Sequence, residues 1–178
     1  MIVSALDTHG RLYEIKDLLA PDQLQEILRQ NWLNLPTQPG NLQHRRSVDV
    51  SEIPHIERWI TDLLPEINRR LDTAFDQIYG QWWLDLPGFH CPLHTDGHLP
   101  NALQMYWIAP GEQYGTGFYD YKDQRYPKHQ FFSRPNTGYI MRNHANADGS
   151  QPLQWHAMLN TVPPNTWRLS SYHIITYR

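Results

Sequence analysis

The sequence predicts a mainly β chain with helices at its N-terminal end, folded as an antiparallel sandwich or barrel. Three observations predict it. Beyond residue 78, short apolar segments such as "ALQMYWIA", "TGFYDY", "TGYIMRN", "LQWHAML" and "WRLSSYHIITYR" recur between Gly, Pro, Asn and Asp, the spacing of strands joined by turns. Before that point, two segments carry apolar residues at helical spacing. The composition is aromatic, with seven Trp, ten Tyr and five Phe in 178 residues, and such residues suit a half-buried pleated surface.

The elements follow in order. "IVSALDTHGRLYEI" places two strand-like pieces around Asp7-Thr8-His9-Gly10, a hairpin expected to cap a sheet edge. From Pro21, "PDQLQEILRQNWL" sets Leu24, Ile27, Leu28 and Trp32 on one helical face, with Pro near the start where it is tolerated. The stretch "NLPTQPGNLQHRRSVDV" then reads as a polar, turn-rich connection. A second helical segment carries Ile56, Ile60, Leu63, Leu64, Ile67 and Leu71, and Pro65 should kink or divide it. With no repeat and no linker in between, residues 1–178 read as a single domain. In it, 1–79 supply the hairpin and supporting helices, and 80–178 supply the β core.

Composition narrows the function. A net charge of −3 without a run of Lys or Arg gives nucleic-acid binding no global electrostatic support. Cys91 is the single cysteine and cannot form an internal disulfide. "MIVSALDTHG" lacks the basic and apolar regions of a signal peptide, and the apolar runs fall short of a membrane span. The expectation is a cytoplasmic protein that needs neither disulfide nor metal to fold; the oligomeric state is not encoded legibly.

The chemistry concentrates in "GFHCPLHTDGHLP", residues 88–100, which gathers His90, His94, Asp96 and His98 around Cys91. His94 and Asp96, at i and i+2, share a face if the backbone is extended there. A third ligand is sought in the β half. His156, in the apolar strand "LQWHAML", is the best placed, because a buried imidazole needs a hydrogen-bond partner or a metal. Arg168 in "WRLS" follows after a turn marked by Pro163-Pro164-Asn165. The two segments read as neighbouring antiparallel strands, with Arg168 close to His156. Two His and one carboxylate on one face of a metal form the facial triad of non-haem Fe(II) oxygenases.

"HTD", the distal "WHA" and "WRLS" together resemble the H-x-D...H...R-x-S pattern of the 2-oxoglutarate- and Fe(II)-dependent dioxygenases, most closely the small prolyl-hydroxylase-like members. The resemblance spans residues 80–178. It implies a distorted double-stranded β-helix, a cupin-like jelly roll, with iron bound by His94, Asp96 and His156. It also implies that Arg168 holds the distal carboxylate of 2-oxoglutarate, that Ser170 assists there and that Tyr106 touches the cosubstrate. Fe(II), 2-oxoglutarate and, as an accessory reductant, ascorbate are the implied cofactors. The implied reaction is hydroxylation of a peptide or amino-acid side chain, favoured slightly over a small metabolite, with release of succinate and CO2.

Plainer readings stand beside this one. His90 and His98 are loop residues, alternative ligands or substrate contacts, and a three-His cupin-like site using either is the direct competitor. Zinc through Cys91 lacks the paired-cysteine spacing of structural sites. Arg134 or Arg142 could replace Arg168, and Gln104 could replace Tyr106. Trp82 and Trp83 either line a substrate entrance or pack helices on the sheet. At the level of function, the alternative is a non-catalytic metal- or ligand-binding jelly roll.

Overall fold

The computed structural model describes residues 1–96, 101–142 and 154–177. Two strands, β1 (Ile2–Ala5) and β2 (Leu12–Lys16), form the expected N-terminal hairpin, with β1 at the sheet edge. Helix α1 (Pro21–Arg29) follows, shorter than its apolar spacing suggests. The chain turns extended at Gln30, and Trp32 begins a separate 3-10 turn, where its indole donates to the Ile27 carbonyl at 2.7 Å.

The stretch expected as a connection forms a second hairpin, β3 (Thr37–Pro39) with β4 (Arg45–Val48). Helices α2 (Pro54–Thr61) and α3 (Leu64–Leu71) divide where Pro65 falls in the first turn of α3, where its missing N–H breaks no hydrogen bond. Asn68 then closes α3. Its side chain donates to the Phe75 carbonyl at 2.7 Å and accepts from the Phe75 N–H at 2.9 Å, leading the chain into β5. The helical part thus ends at Leu71 rather than near residue 78.

The remaining strands are β5 (Gln77–Asp85), β6 (Asn101–Ile108), β7 (Thr116–Tyr119), β8 (His129–Phe131), β9 (Thr137–Arg142), β10 (Trp155–Met158) and β11 (Arg168–Thr176). All pairings are antiparallel. The major sheet runs β1-β2-β9-β6-β11-β5-β4-β3 and the minor sheet β10-β7-β8. This is the jelly-roll arrangement expected, with the major sheet taking strands from both 1–79 and 80–178.

Strand alternation divides the major sheet into two working faces. Trp82, Leu84, Leu103, Met105, Trp107, Leu169 and Ile175 pack on the helices with Ile27, Ile56, Ile60 and Ile67. Trp82 stacks between Trp32 and Trp107, with ring centroids 5.2 and 5.5 Å apart, and each such pair adds about 0.5–1.5 kcal/mol beyond area burial. The opposite face meets the minor sheet through Tyr106, Tyr139, Phe118 and Phe131. Trp83, the next residue after Trp82, turns to that side and lines a cavity, while Trp82 packs against the helices. Among the described residues no helix is long and apolar enough to cross a membrane.

Candidate active site

Backbone pairing builds the site first. His94 lies outside the named strands but is bridged to His156 in β10. Its N–H donates to the His156 carbonyl at 3.0 Å, and the His156 N–H donates back at 2.8 Å. Side chains of such a directly opposed pair project to one face, and the two imidazoles lie with centroids 4.2 Å apart. Asp96 returns to that face two residues on. Its Oδ1 lies 3.5 Å from His94 Nε2 and its Oδ2 3.7 Å from His156 Nε2. One ligand atom from each of the three residues lies within 4.8 Å of the others.

The outer hydrogen bonds decide which atoms face inward. His94 Nδ1 is 2.8 Å from the Pro92 carbonyl and His156 Nδ1 is 3.0 Å from the Gln154 carbonyl. A carbonyl can only accept, so both Nδ1 atoms carry a proton and both Nε2 atoms are the candidate ligands. The Tyr172 hydroxyl, from β11 in the other sheet, donates to Asp96 Oδ2 at 2.7 Å. Burial, then the Asp96 charge, push the Tyr172 phenol well above its ordinary range, so it stays a donor.

Electrostatics fit a cation between these groups. The Asp96 carboxylate, aided by Cys91, pushes His94 up to about 10. Burial pulls His156 below the ordinary imidazole value. Burial alone would raise Asp96, but His94, His156 and Tyr172 outweigh it and hold the carboxyl low. Once His94 sheds the proton that Asp96 stabilises, two Nε2 atoms and one carboxylate oxygen make a donor set suited to a first-row divalent metal.

A cavity of about 660 Å³ opens beside the triad and is lined also by Arg45, Trp83, Tyr106, Tyr139 and Arg168. It falls in the size range of small-molecule sites. Two of its lining residues, Arg45 and Arg168, converge on the buried Asp85. The register explains this, because Arg45 of β4 and Arg168 of β11 both stand opposite Asp85 of β5. Arg168 donates to Asp85 Oδ2 from Nε at 2.9 Å and from Nη2 at 2.6 Å, and to the Tyr114 carbonyl from Nη1 at 3.1 Å. Arg45 donates from Nε to Oδ1 at 2.6 Å and from Nη2 to Oδ2 at 3.2 Å.

The expected residues distribute as follows. His94, Asp96 and His156 converge, and Arg168, Tyr106 and Gln104 line the same cavity. The Tyr106 hydroxyl pairs with Thr116 Oγ1 at 2.9 Å. Ser170 lies between Arg168 and Tyr172 on β11, opposite Trp83 and Tyr106, and its buried Oγ has no partner among the described residues. The placement of Arg168 needs one correction. β10 and β11 are not neighbours: β10 lies in the minor sheet and β11 in the major one. Residues after β10 pair instead with the segment before His94, as in the 2.9 Å bond from the Val162 N–H to the Phe89 carbonyl. Arg168 therefore reaches the site from the facing sheet.

Among the alternatives, His90 is exposed and outside the three-residue cluster, and Cys91 Sγ lies 3.7 Å from His94 Nδ1, the atom turned away from Asp96. Arg134 is exposed and paired with Glu112, and Arg142 does not line the cavity. His98 lies outside the described residues. Sequence reasoning missed Arg45, Asp85 and Tyr172. The one local signal was Asp85, a lone carboxylate ending the apolar run "WWLDL", since a charge inside a strand needs a partner.

The sequence matches no protein-family model and no curated protein. The fold, however, is that of the 2-oxoglutarate and iron oxygenases of known structure. The chain superimposes on a 2OG-Fe(II) oxygenase family oxidoreductase from Burkholderia pseudomallei with a TM-score of 0.64 at 12% identity, covering 94% of this chain and 85% of that one. A Pseudomonas putida prolyl-4-hydroxylase gives 0.62 at 15% identity, covering 96% and 94%. HygX from Streptomyces hygroscopicus, with nickel, 2-oxoglutarate and hygromycin B bound, gives 0.63 at 12%, covering 93% and 82%.

Proposed function

We propose that this protein is a 2-oxoglutarate- and Fe(II)-dependent dioxygenase. The observation that supports it most is the convergence of one ligand atom each from His94, Asp96 and His156 within 4.8 Å at the wall of a cavity that Arg168 also lines. A set of three protein ligands leaves coordination positions for cosubstrate and dioxygen.

In this reading His94, Asp96 and His156 hold the metal. Tyr172 fixes the Asp96 carboxylate, and the Pro92 and Gln154 carbonyls fix the imidazoles. Arg168 receives the distal carboxylate of 2-oxoglutarate. The orphaned Ser170 hydroxyl on the same strand face assists it, and Tyr106 walls the pocket. Bound iron supplies the oxidation, in which 2-oxoglutarate, O2 and a substrate C–H become succinate, CO2 and a C–OH. The chain supplies position and dryness through Trp83, Tyr106 and Tyr139.

We favour a peptide or amino-acid side chain as substrate over a free metabolite. The cavity is lined also by Asn41, Tyr79, Gln81 and Ile174, neutral residues with amide, aromatic and aliphatic surfaces, and Tyr79 is exposed. The whole chain acts as one domain in this account.

The test is direct. Protein supplied with Fe(II), 2-oxoglutarate and oxygen should form succinate, faster with a true substrate from a panel of peptides and amino acids. Asp96→Ala should form none. Wild-type protein without succinate at saturating iron and 2-oxoglutarate would remove the dioxygenase reading in favour of a binding jelly roll.

A further inference from the structure

We propose that Arg45 is a second anchor for the distal carboxylate of the cosubstrate, so that two guanidiniums held by one buried Asp85 select a 2-oxo acid with a second carboxylate. The inference rests on the dioxygenase reading and assigns that reading a residue from the β3–β4 hairpin.

Charge is the first argument. Asp85 is wholly buried, and the side chains of Arg168 and Arg45 are only 4% and 12% exposed. Two guanidiniums on one carboxylate leave one positive charge in excess. No other described carboxylate hydrogen-bonds to either arginine. An excess buried charge is costly unless an anion meets it, and both arginines border the cavity.

Donor geometry is the second argument. Arg168 commits Nε and Nη2 to Asp85 and Nη1 to Tyr114, whereas Arg45 commits only Nε and Nη2. Its Nη1 has no hydrogen bond to a described residue. Each guanidinium carries five N–H donors in a rigid fork, so Arg45 retains the larger share of free donors. The fork is also held in place: its carbon lies 4.2 Å from the Phe89 ring centroid and 5.0 Å from that of Trp83. Asp85 aligns both cations but neutralises only one of their charges, and a carboxylate entering beside them meets preset donors from both.

Two 2-oxo acids that differ in the distal carboxylate separate the outcomes. Manganese(II)-loaded protein is titrated by calorimetry under argon with 2-oxoglutarate and with 2-oxobutyrate, and each variant's fold is checked by circular dichroism and melting. Arg45→Gln should weaken 2-oxoglutarate binding on the order of 30-fold or more and leave 2-oxobutyrate binding unchanged. Arg45→Lys keeps the charge and the Asp85 pair but loses the fork, so it should weaken 2-oxoglutarate several-fold with 2-oxobutyrate again unchanged. If Arg45→Gln fails to fold, Arg45→Lys decides. Wild-type 2-oxoglutarate affinity in the folded variant would overturn the role of Arg45 while leaving the dioxygenase reading intact. Wild-type protein that binds neither acid would overturn that reading, and the inference with it.

Discussion

His94 and His156 exchange backbone hydrogen bonds in both directions, at 3.0 and 2.8 Å, and this pairing sets their imidazoles side by side. The convergence of the two imidazoles is therefore a property of strand register, with Asp96 added by its i+2 position. Replacing Asp96 by Ala leaves that register in place but removes the proposed anionic ligand. Loss of an outer-shell partner already costs 10–100-fold in metal affinity, so loss of this ligand should cost more than about 100-fold. Titration with manganese(II) or cobalt(II) checks it, and near-wild-type affinity would show that Asp96 is no ligand.

Tyr172 offers a gentler test of the same centre. Its hydroxyl donates to Asp96 Oδ2 at 2.7 Å from the opposite sheet. Tyr172→Phe keeps the ring and deletes only the donor, so metal affinity should fall by about 10–100-fold while the melting temperature stays close to wild type. An unchanged affinity would make the contact a packing feature.

Metal loading should release a proton at slightly alkaline pH. In the metal-free protein Asp96 pushes His94 up to about 10, so its Nε2 is protonated at pH 8. Nε2 must shed that proton to bind a metal. Mixing with manganese(II) in weak buffer should therefore release close to one proton per site at pH 8, with apparent affinity rising with pH up to that range. An indicator dye reads the release, and none would mean that His94 is already neutral there.

Asp85, behind the cavity's two arginines, should matter more to folding than any residue that lines the cavity. It is the shared partner of two buried arginines, and breaking a buried ion pair from one side costs about 3–5 kcal/mol. Asp85→Asn should lower the melting temperature by about 10 °C in a chain of this size. A melting temperature within a degree of wild type would mean that solvent screens both cations.

What the sequence made legible was local. His94 and Asp96 are two residues apart on an extended segment, and His156 sits in an apolar strand where an imidazole needs a partner, so their convergence could be expected before the fold was known. The helices were visible for the same reason, since Ile56, Ile60 and Ile67 recur at one period. Arg45 was hidden because its surroundings, "QPGNLQHRRSV", carry neither apolar period. Only the pairing of β4 with β5 brings it opposite Asp85. Tyr172 was hidden likewise, because its partner Asp96 lies 76 residues away on a segment outside the named strands. The relation of β10 to β11 was misjudged because a Pro-Pro-Asn turn looks the same whether it closes a hairpin or carries the chain across to the facing sheet.

In the proposed site, three protein ligands would hold Fe(II) with positions left open for 2-oxoglutarate. The most direct measurement is the visible absorption of anaerobic Fe(II)-loaded protein as 2-oxoglutarate is added. The account predicts a charge-transfer band of the chelated 2-oxo acid that saturates at one equivalent per site, is lost in Asp96→Ala, and bleaches when oxygen is admitted as succinate accumulates. Fe(II)-loaded wild-type protein that develops no band at saturating 2-oxoglutarate would contradict it.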